Sequence, residues 1–198
     1  RAANVPISSL LGGVQEPNLK ASWSISFKSA DEMAKEAAWA VSEGYSWVKV
    51  KIGSKEPRQD VRNVAAVREA VGERTFIHVD ANAGYRYLDA VEVLPQIDEF
   101  RPRLIEQPVA GWDIEGLAKL RRKLKSPIMA DESVRSWRDL KRVIQHGAAD
   151  AVLMKLAKHG GIRESQKIAD LATESGIALY PGVHFATSLA VATSAQFY

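Results

Sequence analysis

The 198-residue sequence contains no cysteine. That excludes disulfides, thiolate zinc sites and cysteine nucleophiles together, and it suits a reducing compartment, so a cytoplasmic location is expected. Long hydrophobic runs are also missing. None approaches the roughly 20 residues that a membrane-spanning helix requires, and no membrane partner is expected. The N-terminus, Arg1-Ala2-Ala3-Asn4, has neither an initiator Met nor a charged-then-apolar signal pattern, which leads us to expect a piece of a longer protein. Charge imbalance is small: 27 Lys and Arg face 24 Asp and Glu, a formal charge of +3. The densest basic stretch lies between Lys119 and Lys125. There Leu117, Leu120 and Leu124 share one helical face and leave the charges on the solvated side. Without interleaved aromatic residues, this stretch predicts no nucleic-acid partner.

With 46% apolar and 26% charged residues, the composition is that of an ordinary globular chain, long enough to bury a sizeable core. Along it, short β-rich runs alternate with helical patterns. An irregular arm (1–20) containing Leu11-Gly12-Gly13 leads to a strand at 21–27. Ser29-Ala-Asp-Glu32 reads as a capping box opening a helix that Gly44 ends. Trp47–Lys51 and Phe76–Asp80 are strands, separated by a helix that Pro57 can open and that runs to about Gly72. A helix from about Tyr87 to Phe100 contains Pro95, which predicts a kink or an early break. Strands at 103–106, 128–131, 150–155 and 177–183 then alternate with helices at 114–124, 137–145 and 162–175, before a final helix over Thr187–Tyr198.

Strand-helix alternation without hairpin signals implies parallel strands joined by right-handed crossovers. The early turns carry no glycine-rich phosphate loop, which argues against a dinucleotide-binding sheet. A closed barrel needs eight strands and typically about 250 residues. Seven strands are legible here. The expected fold is therefore α/β, a (β/α) TIM-type barrel lacking its closing strand, with 1–20 as an arm and 21–198 as the barrel domain.

In such barrels the strand C-termini carry the chemistry. Polar residues recur there: Lys49 and Lys51, then Asp80, Glu106, Asp131 with Glu132, and Lys155, at steps of 24 to 29 residues. Each step is one strand-helix unit, so these side chains should converge on one barrel mouth. Lys49 and Lys51 share a strand face, while Val48, Val50 and Ile52 take the other. Any one of these acids alone could be a helix cap or a surface ion pair. Three at the ends of consecutive strands form an all-oxygen set suited to Mg²⁺ or Mn²⁺.

The ordered set Lys49-x-Lys51, Asp80, Glu106-Gln107-Pro108, Asp131-Glu132-Ser133 and Lys155-x-x-Lys158-x-Gly160-Gly161 resembles the enolase superfamily. More closely, it is similar to the muconate-lactonizing (muconate cycloisomerase) subgroup, related to mandelate racemase, over about residues 45–182. The resemblance implies that Asp80, Glu106 and Asp131 bind the metal and that Lys51 and Lys155 act as acid/base groups, with Lys49 as electrostatic neighbour. Asn82 and Glu132 are expected near the site. His184, in Pro181-Gly-Val-His184, is similar in position to a catalytic histidine of the racemase branch and is an even choice between substrate contact and loop packing. His78 reads as core, and His146 and His159 read as surface or loop residues. Lys158 with Gly160-Gly161 could attract an anion or form a simple turn. The family's capping domain and last barrel strand are expected to lie outside the sequence given.

Removing a proton α to a carboxylate creates a dianionic enolate, which a divalent ion stabilises as a Lewis acid. A lysine base must be neutral, and a neighbouring positive charge disfavours its protonated form, which gives the pair Lys49-x-Lys51 a chemical sense. The expected activity is a metal-dependent isomerase of the muconate cycloisomerase type, acting on a small carboxylate substrate, in a full-length protein that assembles as a homo-oligomer. A racemase or epimerase of amino-acid derivatives or dipeptides uses the same residues. More distant alternatives are a Schiff-base aldolase with Lys155 as nucleophile and an inactive barrel fragment.

Overall fold

The computed structural model describes residues 4–13, 19–183 and 186–198. After a helical turn, α1 (Ile7–Leu10), the order is β1 (Trp23–Ile25), α2 (Ala30–Ser42), β2 (Trp47–Lys51), α3 (Pro57–Val71), β3 (Phe76–Asp80), α4 (Tyr87–Asp98) and β4 (Leu104–Glu106). It continues with α5 (Ile114–Lys123), β5 (Ile128–Ala130), α6 (Trp137–Gln145), β6 (Ala151–Met154), α7 (Ile162–Glu174), β7 (Ala178–Pro181) and α8 (Ser188–Phe197). Local chemistry sets several of these starts. Ser29 and Glu32 form the capping box of α2, Ser136 and Asp139 form that of α6, and Pro57 opens α3.

Among the described residues, all seven strands pair in parallel and in sequence order. The sheet is curled. In a flat sheet the five steps from β2 to β7, at about 4.8 Å each, would hold the two strands about 24 Å apart. The rings of Trp47 on β2 and Tyr180 on β7 instead meet at 6.3 Å. The architecture is thus a sector of a TIM-type barrel, helices outside and a narrow interior within.

Strand alternation divides the core in two. Outward residues Val48, Val50, Ile77, Val79, Ile105, Ile128, Ala130 and Val152 are buried against Met33, Val67, Leu94, Leu117, Leu120, Leu140 and Ile168 of the helices. Inward residues Leu104, Met129, Ala151 and Leu153 form a second cluster, with Trp47 and Tyr180 against it. Among the described residues no helix is long and apolar enough to cross a membrane.

Three expectations need correction. The first strand spans Trp23–Ile25 rather than 21–27, because only these residues find register partners, at Val48–Val50. The arm is not wholly irregular, since α1 lies in it. Pro95 does not break α4, which continues through it to Asp98.

Candidate active site

The parity that puts Trp47 inside also puts Lys49 and Lys51 inside. Likewise His78 and Asp80, Leu104 and Glu106, Met129 and Asp131, and Leu153 and Lys155 alternate inward along their strands. The last inward residue of each strand from β2 to β6, or the first position past it, is charged. Asp80 and Glu106 are completely buried and Asp131 is 2% exposed.

These side chains meet. Lys49 Nζ bridges Asp80 Oδ2 and Glu106 Oε2, at 2.8 Å each. Lys51 Nζ lies 2.6 Å from Asp80 Oδ2 and also donates to Asn82 Oδ1. Across the mouth, Lys155 Nζ lies 2.5 Å from Asp131 Oδ2, and Lys158 Nζ lies 2.7 Å from Asp131 Oδ1. Asn82 Nδ2 donates to Glu132 Oε1 at 3.3 Å, linking the Lys51 side to the Asp131 side. His78 Nε2 sits 2.7 Å from Glu106 Oε2 but without hydrogen-bond alignment, as a packed neighbour below the mouth.

The electrostatics follow from burial and these partners. Burial opposes ionisation of Asp80, yet Lys49 and Lys51 outweigh it and hold the carboxyl at about 2. Asp131 is also lowered: burial opposes its charge, and Lys158 and Lys155 prevail. Burial works against the charge of Lys49, but Glu106 and Asp80 raise its pKa above the usual lysine value. Glu132 is raised by burial and by the adjacent Asp131 charge. Lys158 is lowered, because its burial outweighs the pull of Asp131.

Backbone geometry packs the loops tightly. A Cβ on Gly53 would stand 2.3 Å from Ala81 O, and one on Gly84 2.4 Å from Gly53 O, so the loops after β2 and β3 interlock through bare backbone. Asp60 secures that contact by accepting Gly53 N–H at 2.9 Å, Ser54 N–H at 3.0 Å and the Tyr85 hydroxyl at 2.7 Å. Asn82, Ala83 and Gln107 all adopt positive φ, at 42°, 60° and 34°, a conformation that concentrates at functional sites.

The fully buried Gln107 joins the loops after β4 and β5. Its Nε2 donates to Val109 O and Ser133 Oγ, at 2.9 and 2.8 Å. Its Oε1 accepts from Asp131 N and Ser133 N, at 2.9 and 3.1 Å. The sequence alone assigns the Gln107 side chain no role; its one signal is an uncharged amide directly after an inward carboxylate. Lys158, for which the sequence leaves an anion site and a simple turn open, does lie in a turn, and its ammonium is a partner of Asp131. His159 is not on the surface: it is 3% exposed, and burial with the Lys158 charge pushes its imidazole down to about 4. His146 is exposed, as expected. His184 lies outside the described residues.

Among the described residues, no three His, Cys, Asp or Glu side chains are gathered as they stand around one ion position. The carboxylates nevertheless fit a hard divalent cation. All donors are oxygens, an ammonium already bridges Asp80 and Glu106, and Glu106 Oε1 is buried with no hydrogen-bond partner.

Residues 32–198 match the family model described as enolase C-terminal domain-like. The chain belongs to this family. Within the enolase C-terminal domain-like family it is 37% identical, over 174 residues, to an L-Ala-D/L-Glu epimerase of Clostridium acetobutylicum, covering 87% of the chain and 48% of that relative. It is 32% identical over 198 residues to muconate cycloisomerase 1 of Rhodococcus opacus, covering 100% of the chain and 53% of that relative. A solved dipeptide epimerase from Cytophaga hutchinsonii, in complex with Mg and the dipeptide D-Ala-L-Val, superposes with a TM-score of 0.94 at 29% identity, over 99% of this chain and 53% of its own. These relatives are isomerases, and the chain spans about half their length.

Proposed function

We propose that the protein carrying this mouth is a Mg²⁺- or Mn²⁺-dependent isomerase of small carboxylate substrates, working by proton transfer at the carbon beside the carboxylate. The observation that carries this reading is three buried carboxylates ending adjacent strands, flanked by lysines from β2 on one side and β6 on the other. Asp80, Glu106 and Asp131 would hold the ion, which when bound supplies Lewis-acid stabilisation of the developing enolate charge.

The protein's own groups do the rest. Lys51 takes or returns a proton on one side of the substrate carbon and Lys155 on the other. The proton leaving carbon ends on a neutral lysine Nζ, and one returned to the substrate completes the isomerisation. Lys49 keeps a fixed positive charge two residues from Lys51, and Asn82 orients Lys51 through its side-chain oxygen.

Two reactions use these residues. Lysines of equal standing, Lys51 at 2.6 Å from Asp80 and Lys155 at 2.5 Å from Asp131, favour epimerisation or racemisation of an amino-acid derivative or dipeptide. Similarity to the Rhodococcus cycloisomerase over the whole chain favours lactonisation, in which one lysine serves one face and the other acts through charge. Schiff-base chemistry is less favoured, because it would leave the buried carboxylates Asp80, Glu106 and Asp131 without a chemical role.

The test incubates the full-length protein in D₂O with cis,cis-muconate, dipeptides and N-acyl amino acids, followed by NMR. Turnover of one class with deuterium entering the substrate, lost on EDTA treatment, is the expected result. Residual exchange of a single stereoisomer in Lys155→Ala identifies an epimerase or racemase; its absence identifies a cycloisomerase. Metal-independent activity with borohydride trapping of Lys155 would overturn the reading.

A further inference from the structure

Asp131 is held unlike the other two carboxylates. Its N–H donates to Gln107 Oε1 at 2.9 Å, while its backbone carbonyl and Oδ1 both accept from Lys158 Nζ, at 2.9 and 2.7 Å. The same ammonium donates to Leu153 O at 2.8 Å. An ammonium has three N–H donors, and the three of Lys158 are taken by these three oxygens, so none is left for a substrate. The Lys158 side chain is 9% exposed.

Lys155, by contrast, meets the remaining oxygen, Asp131 Oδ2. An aspartate at the end of a strand otherwise turns freely about its side-chain bonds. With Oδ1 and the backbone carbonyl tied to one Nζ, that freedom is gone and Oδ2 is the oxygen turned to the mouth.

We propose that Lys158 is a positioning residue, which fixes Asp131 so that Oδ2 is the oxygen offered to a divalent ion. The proposal rests on the reading of Asp131 as a ligand and adds a residue that acts only through it. It makes a prediction of unusual sign. Were Lys158 merely a nearby positive charge, its removal would strengthen cation binding, since like charges repel. If it positions Asp131, its removal weakens binding despite the lost repulsion.

The test uses the full-length protein with Mn²⁺ as probe, reading free aquo ion by electron paramagnetic resonance, and thermal unfolding in metal-free buffer as a separate readout. Lys158→Met is expected to weaken Mn²⁺ binding about 10- to 100-fold, the range usual for partners that orient a metal ligand. Lys158→Arg keeps the charge but changes donor geometry, and should recover part of that loss. Asp131→Asn should also weaken binding, and adding Lys158→Met to it should weaken binding no further.

Unchanged or tighter Mn²⁺ binding in Lys158→Met, beside weakened binding in Asp131→Asn, overturns the positioning role alone, as does a lower melting temperature with unaltered affinity. Additive losses in the double variant overturn it too. If Lys158→Met does not fold, Lys158→Arg decides: weakened Mn²⁺ binding supports the proposal and wild-type affinity overturns it. Unchanged affinity in Asp131→Asn removes the ligand assignment and this proposal with it.

Discussion

The two ends of the barrel interior are built on the same strands and the same inward face, yet they are chemically opposite. At the N-terminal end Trp47, Leu104, Met129, Leu153 and Tyr180 pack together as an apolar plug. Two residues further along β2, β4, β5 and β6 the inward positions become Lys49, Glu106, Asp131 and Lys155, and Lys51 follows Lys49 on β2. Facing inward therefore does not decide whether a position is apolar or charged; distance along the strand does. Burying charge is costly even when paired, so the mouth is sustained by the apolar layer beneath it rather than by its own ion pairs.

The comparison can be broken most forcefully at the lysines. Lys51→Ala and Lys155→Ala in the full-length protein should each cut turnover about 10²- to 10⁴-fold, the usual worth of a positioned acid or base, with little change in melting temperature. An unfolded variant, or wild-type turnover, would show that the mouth holds the fold together or that the lysine is idle. Its mirror image lies in the plug. Leu104→Ala should cost about 2–5 kcal/mol of stability in denaturant titration, as for buried leucines generally, while Mn²⁺ affinity stays as in the wild type.

A smaller effect concerns acid. Asp80 titrates at about 2 against an ordinary 3.8, so its stabilising contribution is present above the higher value and lost as pH falls towards the lower. In metal-free protein, Asp80→Asn should flatten that part of the pH–stability curve. Glu132 has the opposite sign, because its pKa is raised above 4.5 by burial and Asp131. Glu132→Gln should slightly raise the melting temperature at neutral pH, and the gain should vanish below about pH 4.5 as the native carboxyl protonates. A gain that persists in acid would point to packing instead of charge.

How much of this was legible in the sequence depended on the range of the forces involved. Trp47–Lys51 and Phe76–Asp80 were read to the residue, because alternation and flanking signals are local. The end of the first strand was not, since ladder partners across the sheet set it. At the site, residue type and repeat spacing identified Lys49, Lys51, Asp80, Glu106, Asp131 and Lys155, and the structure gathers them at one mouth. What stayed hidden were the holding roles. Lys158 and His159 sit in a turn whose glycines read as surface loop, and only the folding of that turn against Asp131 buries them. Gln107 takes part in contacts 24 and 26 positions away, which no local pattern announces.

Gln107 has one more consequence. With two donors and two acceptors all engaged, its side chain works as a rigid spacer between the segment bearing Glu106 and the segment bearing Asp131. A spacer saturated in this way has nothing to gain from a visitor and nothing to rearrange when one arrives. The distance between those two segments is thus settled when the chain folds, before any ion or substrate enters, and a preset polar frame is what lets a pocket meet new charge without first reorganising itself.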